Sequence, residues 1–351
     1  MPALKPRILA VGTALPAFRF EQADVRALIK GLFNDGFRDF DRLLAVFDNG
    51  HVQARYLSAP LEWFKTNHTW AERNEIYVKT ALEIGERASR IALKRSGVEA
   101  QDFGAIFFVS TTGLATPSLD SWLIKRLNLS RHIARIPIWG LGCAGGAAAL
   151  NRASEFVRAT GKPALLVAVE LSSLTFQAND VSRPNLIATS LFADGAAAVV
   201  VTPDGPGPSI IGGSSTLWDD TEEVMGWVVT NTGLQVTLSK SVPNVVEKHI
   251  RADVELACAN HGLSLEHLKH FVTHPGGEKV MEAFATALGL PASAMNDARD
   301  ILEHHGNMSS PTVLFALERF LQRWPDLPGG EYGLLTAMGP GFSAEQVLFR
   351  T

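Results

Sequence analysis

The segment Arg135-Ile-Pro-Ile-Trp-Gly-Leu-Gly-Cys143-Ala-Gly-Gly146 joins a short apolar run to a glycine cluster, and a helical pattern over Ala147 to Ala159 begins at once. A strand that ends in glycines and turns directly into a helix is the grammar of a parallel α/β sheet. The same order places one thiol, Cys143, at a helix start, where free backbone N–H groups and the positive dipole end favour a thiolate. Buried cysteine is often only a small apolar side chain. Gly142, Gly145 and Gly146 argue for more, because they admit the close approach of another group, which packing alone does not require. Cys143 is therefore expected to be a nucleophile.

Working outward, the grammar around this segment occurs twice. An amphipathic run from Ile76 to Arg95 ends at Ser96-Gly97-Val98 and precedes a strand-like Ala105-Ile-Phe-Phe-Val109. A second run, Val245 to Asn260, ends at His261-Gly262-Leu263 and precedes His270-Phe-Val-Thr273, followed by His274-Pro-Gly-Gly277. Downstream, the Cys143 helix has a counterpart over Thr312 to Trp324, opened by Gly306-Asn307-Met-Ser-Ser-Pro311. Each is followed by a further apolar strand, Ala164-Leu-Leu-Val-Ala-Val169 and Gly333-Leu-Leu-Thr-Ala337. Two such units stacked give a layered α/β/α/β/α arrangement. The Pro203-Asp-Gly-Pro-Gly-Pro208 stretch marks the expected seam, dividing the chain into residues 1–208 and 209–351, although a tight turn at a sheet edge would leave the same trace. A local two-fold between the halves would turn the two helix starts toward each other. Cys143 would then lie near Asn307, with the His274 loop near both.

Composition bounds the function. With 351 residues the chain buries a large core, and 32 Lys and Arg against 36 Asp and Glu leave a net charge of −4, so no global field recruits nucleic acid or an anionic membrane. Small-molecule partners are expected. Two cysteines far apart, Cys143 and Cys258, argue against a disulfide framework and against a zinc site of paired thiolates, so no metal is expected. The N-terminal apolar stretch is too short for a signal core, and no apolar run reaches membrane-spanning length. A cytoplasmic protein without stable membrane insertion is the expectation.

A cysteine that accepts an acyl group needs a base or cation to hold it as thiolate, and donors for the oxyanion or enolate that follows. Of ten histidines, His274 stands out because it directly follows an apolar strand, where active-site groups of parallel sheets sit. Asn307 reads equally as a helix N-cap. His304 and His305 read as solvated spacers before Gly306.

Together, Cys143 in Gly-Cys-Ala-Gly-Gly, His274 in Thr-His-Pro-Gly-Gly, Asn307 in Gly-Asn-Met-Ser-Ser, Phe192 in Ser-Leu-Phe-Ala-Asp-Gly and the closing Gly-Pro-Gly-Phe342 resemble a type III polyketide synthase, the group that includes the plant chalcone synthases. Trp139-Gly-Leu-Gly-Cys143 and Ser173-Leu-Thr-Phe-Gln177 look most similar to the bacterial alkylpyrone and alkylresorcinol synthases, which use long fatty acyl starters. The resemblance implies a duplicated thiolase fold, a homodimer, acyl-CoA and malonyl-CoA as substrates, and no tightly bound cofactor. It makes Cys143 the acyl carrier, with His274 as its imidazolium partner, and His274 and Asn307 the donors to the enolate of decarboxylated malonyl-CoA. By the same resemblance Phe192 separates the coenzyme A tunnel from the cavity. Thr111, Thr112, Ser172, Thr175, Ser309 and the Gly339-Pro340-Gly341 backbone line that cavity, although each also reads as packing or turn.

Departures from the plant pattern carry expectations of their own. Val236 stands where plant members have a second gatekeeping Phe, so a longer starter is admitted. Arg42, Ala45 and Asn49 stand where they carry three cations, which leaves Arg42, Arg55 and Lys279, beside the Gly276-Gly277 backbone, to meet coenzyme A. Thr116 replaces a Met that reaches the partner subunit, and Thr116-Pro117 is a candidate cis peptide. Two alternatives stay open: an initiating β-ketoacyl carrier-protein synthase, which shares Cys, His and Asn on this fold, and a catalytically silent thiolase-fold partner.

Overall fold

A computed structural model of the chain describes residues 4–33 and 40–351, the side chains of residues 40–42 excepted. The N-terminal half runs β1 (Arg7–Ala14), β2 (Phe18–Glu21), α1 (Gln22–Phe33), α2 (Phe40–Asn49), β3 (Ala54–Leu57), α3 (Trp70–Ser96), β4 (Ala105–Val109), α4 (Asp120–Arg126) and β5 (Ala134–Ile138). It continues through α5 (Gly145–Thr160), β6 (Ala164–Leu171), α6 (Arg183–Leu191) and β7 (Asp194–Thr202). Beyond it come β8 (Ser209–Leu217), β9 (Met225–Thr230), β10 (Gly233–Leu238), α7 (Val242–Ala259), β11 (Leu268–Thr273), α8 (Glu278–Leu288), α9 (Asn296–His305), α10 (Thr312–Arg323), β12 (Tyr332–Gly339) and β13 (Ser343–Arg350). Sequence chemistry sets the helix ends. Thr69 and Glu72 form a reciprocal capping box at the start of α3, and Gly97 closes it at φ 66°.

Among the described residues, nine strands are hydrogen-bonded in the order β11-β12-β13-β8-β1-β7-β6-β4-β5. The repeat heard in the sequence is visible in strand direction. β4 runs parallel to β6, which is antiparallel to β7, itself antiparallel to β1; β11, β12, β13 and β8 repeat that pattern. The two sets touch through a single register pair, Arg7↔Ser209, and are in effect two sheets meeting at one corner.

Alternation of apolar side chains sorts the layers. On β6, Leu165, Val167 and Val169 pack with Tyr77, Ala81, Ile84 and Ala88 of α3, while Ala164, Leu166 and Ala168 face a central core. That core holds Leu150, Ala153 and Val157 of α5 and Val313, Leu317 and Phe320 of α10, and its far side is Leu335, Val347 and Phe349 of the second sheet. Leu334 and Leu348 point the other way, onto Val246, Ile250 and Val254 of α7 and Phe284 of α8. The five layers of a thiolase-like fold follow, with α5 and α10 side by side between the sheets. A fourth cluster of α1, α2, β3 and Phe176 forms a lobe over one end. His305 departs from its expected role as a solvated spacer: it is half-buried, with Tyr56 at 6.1 Å and Phe315 at 5.5 Å between ring centroids.

Candidate active site

Cys143 lies in a short 3₁₀ turn, Gly142–Ala144, that leads from β5 into α5. Glycine is required here for space. A Cβ on Gly142 would stand 2.7 Å from Pro340 Cδ, and one on Gly339 would stand 2.3 Å from the Leu141 carbonyl oxygen, so the cysteine turn and the end of β12 meet backbone to backbone. Gly142 also has φ 47° and donates its N–H to Thr111 Oγ1 at 3.2 Å. On the other side of the thiol, a Cβ on Gly146 would stand 2.3 Å from the Ser310 carbonyl oxygen, so α5 and the lead-in to α10 approach closely.

His274 leaves the end of β11 with its N–H on the Thr336 carbonyl oxygen of β12 at 2.9 Å. Its imidazole is buried, and neither ring nitrogen has a hydrogen-bond partner. Asn307 sits five residues before α10 and does not cap it, the N-cap being Pro311. Its backbone instead forms a bridge with the Phe192 segment, Asn307 N–H to the Leu191 carbonyl at 2.7 Å and Ala193 N–H to the Asn307 carbonyl at 2.9 Å. The Asn307 carboxamide accepts from Ser309 N–H at 2.8 Å and donates to the Gly276 carbonyl at 3.4 Å, which ties it to the His274 loop.

All three side chains line one cavity of about 490 Å³, together with Ser309 and Phe192. Burial governs their electrostatics. It pushes the Cys143 thiol up to about 11, against hydrogen bonding from Ser309 and Asn307, and it presses His274 down to about 3. Burial thus opposes both the thiolate and the imidazolium, so the expected ion pair would have to draw its stability from the attraction between the two charges. A neutral imidazole whose ring nitrogens are unpartnered is suited to accept a proton when the thiol attacks.

Phe192 and Val236 line this cavity and also a smaller one of about 40 Å³, walled by Val25, Ile29 and Phe64 of the α1 lobe, and so form the partition between the two. Ser172 and Thr175 line the smaller one, with the Ser172 hydroxyl buried and unpartnered. Gly276, Gly277 and the exposed Lys279 border the larger one.

Several expected contacts are not there. Thr111 and Thr112 do not line the cavity; their N–H groups and the Thr112 hydroxyl donate to the buried Glu170 carboxylate at 2.8–3.1 Å. Of Gly339-Pro340-Gly341 only Pro340 lines it, because Gly339 abuts the cysteine turn and Gly341 faces Leu217. Arg55 cannot meet a phosphate of an incoming ligand. It is 1% exposed, and its guanidinium donates to the carbonyls of Thr189, Ser190 and Phe192 and to Gln22 Oε1, so it braces the Phe192 segment. The Arg42 side chain lies outside the described residues. The Thr116–Pro117 peptide is cis.

Two elements in or beside the cavity escaped the sequence reading. Trp227 lines the cavity and packs on Phe192 at 5.8 Å between ring centroids; the two-residue turn Asn231-Thr232 sets the hairpin register that puts it opposite Val236. Glu170 is the one acid in the apolar strand β6. Burial pushes it up to about 7 against the donors from Thr111 and Thr112 and the Ser310 hydroxyl, and it joins the cysteine side of the site to the lead-in of α10.

The family model for chalcone and stilbene synthases matches the whole fold, its N-terminal domain over residues 3–206 and its C-terminal domain over residues 210–351. A Bacillus subtilis (strain 168) protein that bears a provisional chalcone synthase name is 40% identical over 97% of this chain and 98% of its own. A 1,3,6,8-tetrahydroxynaphthalene synthase of Streptomyces peucetius subsp. caesius is 37% identical over 98% of this chain and 92% of its own. The crystal structure of the Streptomyces coelicolor A3(2) tetrahydroxynaphthalene synthase, described as a bacterial type III polyketide synthase, superposes with a TM-score of 0.93 at 30% identity, covering 98% and 99% of the two chains.

Proposed function

The chain belongs to the chalcone and stilbene synthase family, the type III polyketide synthases, which are acyltransferases acting on coenzyme A thioesters without a tightly bound cofactor; from that membership we propose that it extends a long-chain acyl starter with malonyl-CoA and closes the product as an alkylpyrone or alkylresorcinol. The observation that carries this reading is the single chamber shared by Cys143, His274 and Asn307. Cys143 Sγ attacks the thioester carbonyl, its proton passes to His274, and the coenzyme A thiol leaves with a proton. Malonyl-CoA then loses carbon dioxide, and its enolate oxygen is held by His274 and Asn307, where removal of one donor costs about 10² to 10³ in rate. The enolate carbon attacks the Cys143 thioester and returns the lengthened chain to coenzyme A. Residues 1–208 and 209–351 act as the two duplicated halves.

A fatty starter is supported by the small Val236 in the partition and by the apolar lining behind it. A chain of many methylenes needs that cavity, about 40 Å³ as it stands, to widen between α1 and α6. This same tightness favours a second reading, a short starter and a small aromatic product, in keeping with the tetrahydroxynaphthalene, 3,5-dihydroxyphenylacetyl-CoA and phloroglucinol that name several relatives. Dimerisation is supported by β5, a free sheet edge whose Ala134, Arg135 and Pro137 are exposed and which is followed by Trp139 at 54% exposure. No described helix is long and apolar enough to cross a membrane. Incubation with an acyl-CoA series and malonyl-CoA alone, with mass spectrometry of the products, tests the reading. Products from starters of twelve or more carbons support it, products from short starters only favour the second reading, and none without a carrier protein refutes both.

A further inference from the structure

A second cavity, of about 620 Å³, lies at the far end of the sheets from Cys143. It is bordered by Tyr332, the first residue of β12, whose last residue, Gly339, abuts the cysteine turn; a strand of 8 residues puts about 23 Å between the two. Both halves of the chain contribute cations to it, Lys5, Arg7 and Arg158 from the first and Arg350 from the second, with the His261 imidazole beside them. It sits where the two sheets share the register pair Arg7↔Ser209. No Asp or Glu side chain lines it, and none of the four cations makes an ion pair with a described residue. Glu331, next to Tyr332 in the chain, is taken by His270 at 2.8 Å. Elsewhere on the surface Arg90, Arg126, Arg135, Arg152, Arg319 and Arg323 are bridged to carboxylates. Here main-chain carbonyls hold the guanidinium groups without cancelling their charge. Arg7 donates to Gly207 at 2.9 Å and Arg158 to Ile211 at 3.2 Å, while Arg350 donates to Gly330 at 3.0 Å with its guanidinium 5.6 Å from the centre of the Tyr332 ring. Each keeps further N–H donors for a ligand. The main-chain end at Thr351 supplies at most one negative charge, and the C-terminal ends of α5 and α7 offset about one more, so a net positive charge of about two remains.

We propose that this cavity binds a small molecule carrying a di- or triphosphate group, separate from the substrate that reaches Cys143, and that the bound anion clamps the two halves together at their seam. Its chemistry is a match of charge and shape. A guanidinium fork engages two phosphate oxygens at once, and three forks with one ammonium, spread around 620 Å³, present more donors than a single phosphate can meet. The volume falls in the range of small-molecule sites, about 300–1,000 Å³. Inorganic pyrophosphate and a nucleoside diphosphate share the recognised group, and Leu4, Ile211 and Leu263 offer the second an apolar wall. Because Lys5, Arg7 and Arg158 belong to one half and Arg350 to the other, one anion neutralises both sides of the seam.

Thermal melting and calorimetric titration test this without requiring turnover. Millimolar pyrophosphate, against sodium chloride of equal ionic strength, should raise the melting temperature by about 2–4 °C, because a ligand bound only by the folded chain stabilises it by mass action. An equal or smaller rise with ADP makes the diphosphate alone the recognised group, and a larger one assigns the apolar wall to its nucleoside. The exposed side chains are changed together, Lys5→Gln, His261→Gln and Arg350→Gln. Each exposed contact is worth a few-fold, so the triple change should weaken the pyrophosphate Kd by about tenfold or more. Arg158→Gln is compared separately, and because it also loses its carbonyl bonds, the shift caused by pyrophosphate is read rather than the starting melting temperature. Lys279→Gln, at the Cys143 cavity, should leave that Kd within about twofold of the parent. No shift in the parent, a triple variant that binds pyrophosphate as tightly as the parent, or a loss of binding that follows Lys279→Gln instead overturns the proposal.

Discussion

Replacing Gly146 by Ala tests whether the two helix starts must touch for the site to exist. The added Cβ would lie 2.3 Å from the Ser310 carbonyl oxygen and 3.0 Å from Val313 Cγ1, and since real Cβ contacts essentially never fall under 3.0 Å, the two segments must part by about 0.7 Å. Ser310 follows Ser309 directly and Asn307 by three residues, and its hydroxyl donates to Glu170 at 3.0 Å, so it cannot yield alone. Overpacking of this kind costs about 1–3 kcal/mol, against a gain of about 0.5–1 kcal/mol for removing a helical glycine, so a net loss of stability is expected. Misplacing catalytic groups by about 1 Å costs on the order of 10² in rate, so product formation should fall by tens of fold. The assay is malonyl-CoA-dependent product formation beside a thermal melt. Gly31→Ala in α1, where the added Cβ meets nothing within 4 Å, is the control and should leave the rate unchanged with an equal or higher melting temperature. A Gly146→Ala protein with parental rate and an undiminished melting temperature would refute the reasoning.

Three further outcomes are expected. Cys143→Ala retains malonyl-CoA decarboxylation, since His274 and Asn307 remain, and loses all condensation; condensation that persists means the nucleophile is elsewhere. Alkylation of Cys143 by iodoacetamide in the free enzyme should rise tenfold per pH unit from pH 6 to 9 without a plateau, because burial raises the thiol from 9.0 to about 11 and leaves about 100-fold less thiolate at neutral pH than a free cysteine has; a plateau below pH 7 would point to a stable ion pair with His274. Val236→Phe thickens the partition beside Phe192 and Trp227, so preference should move toward short starters, and an unchanged acyl-length profile counts against the partition.

The architecture was legible because a duplicated α/β unit writes itself twice in hydrophobic period and glycine placement. Gly97 caps α3 at φ 66° and Gly262 follows α7 within three residues of its end at φ 69°, and the strands at Ala105 and His270 fall where equivalent β4 and β11 stand. The meeting of Cys143 with Asn307 followed from that symmetry. What did not follow was burial. Nothing local distinguishes Arg55, whose donors are taken by carbonyls some 134 residues away and more, from the surface Arg183. Thr111 and Thr112 sit beside the site as expected yet turn to Glu170, a partner 59 and 58 residues distant. The burial of Cys143 was hidden for a related reason. A helix start is visible in sequence, whereas the solvent exclusion that opposes a thiolate depends on Pro340, Phe342 and other residues far along the chain.

Acyl transfer to one sulfur, that of Cys143, is the step on which catalysis depends. Brief incubation of the protein with an acyl-CoA in the absence of malonyl-CoA, followed by acid quench, proteolysis and mass spectrometry, should find the acyl group on the peptide carrying Cys143 and none on that carrying Cys258. An acyl group on Cys258, or an unmodified Cys143 in a preparation that forms product once malonyl-CoA is added, would contradict it.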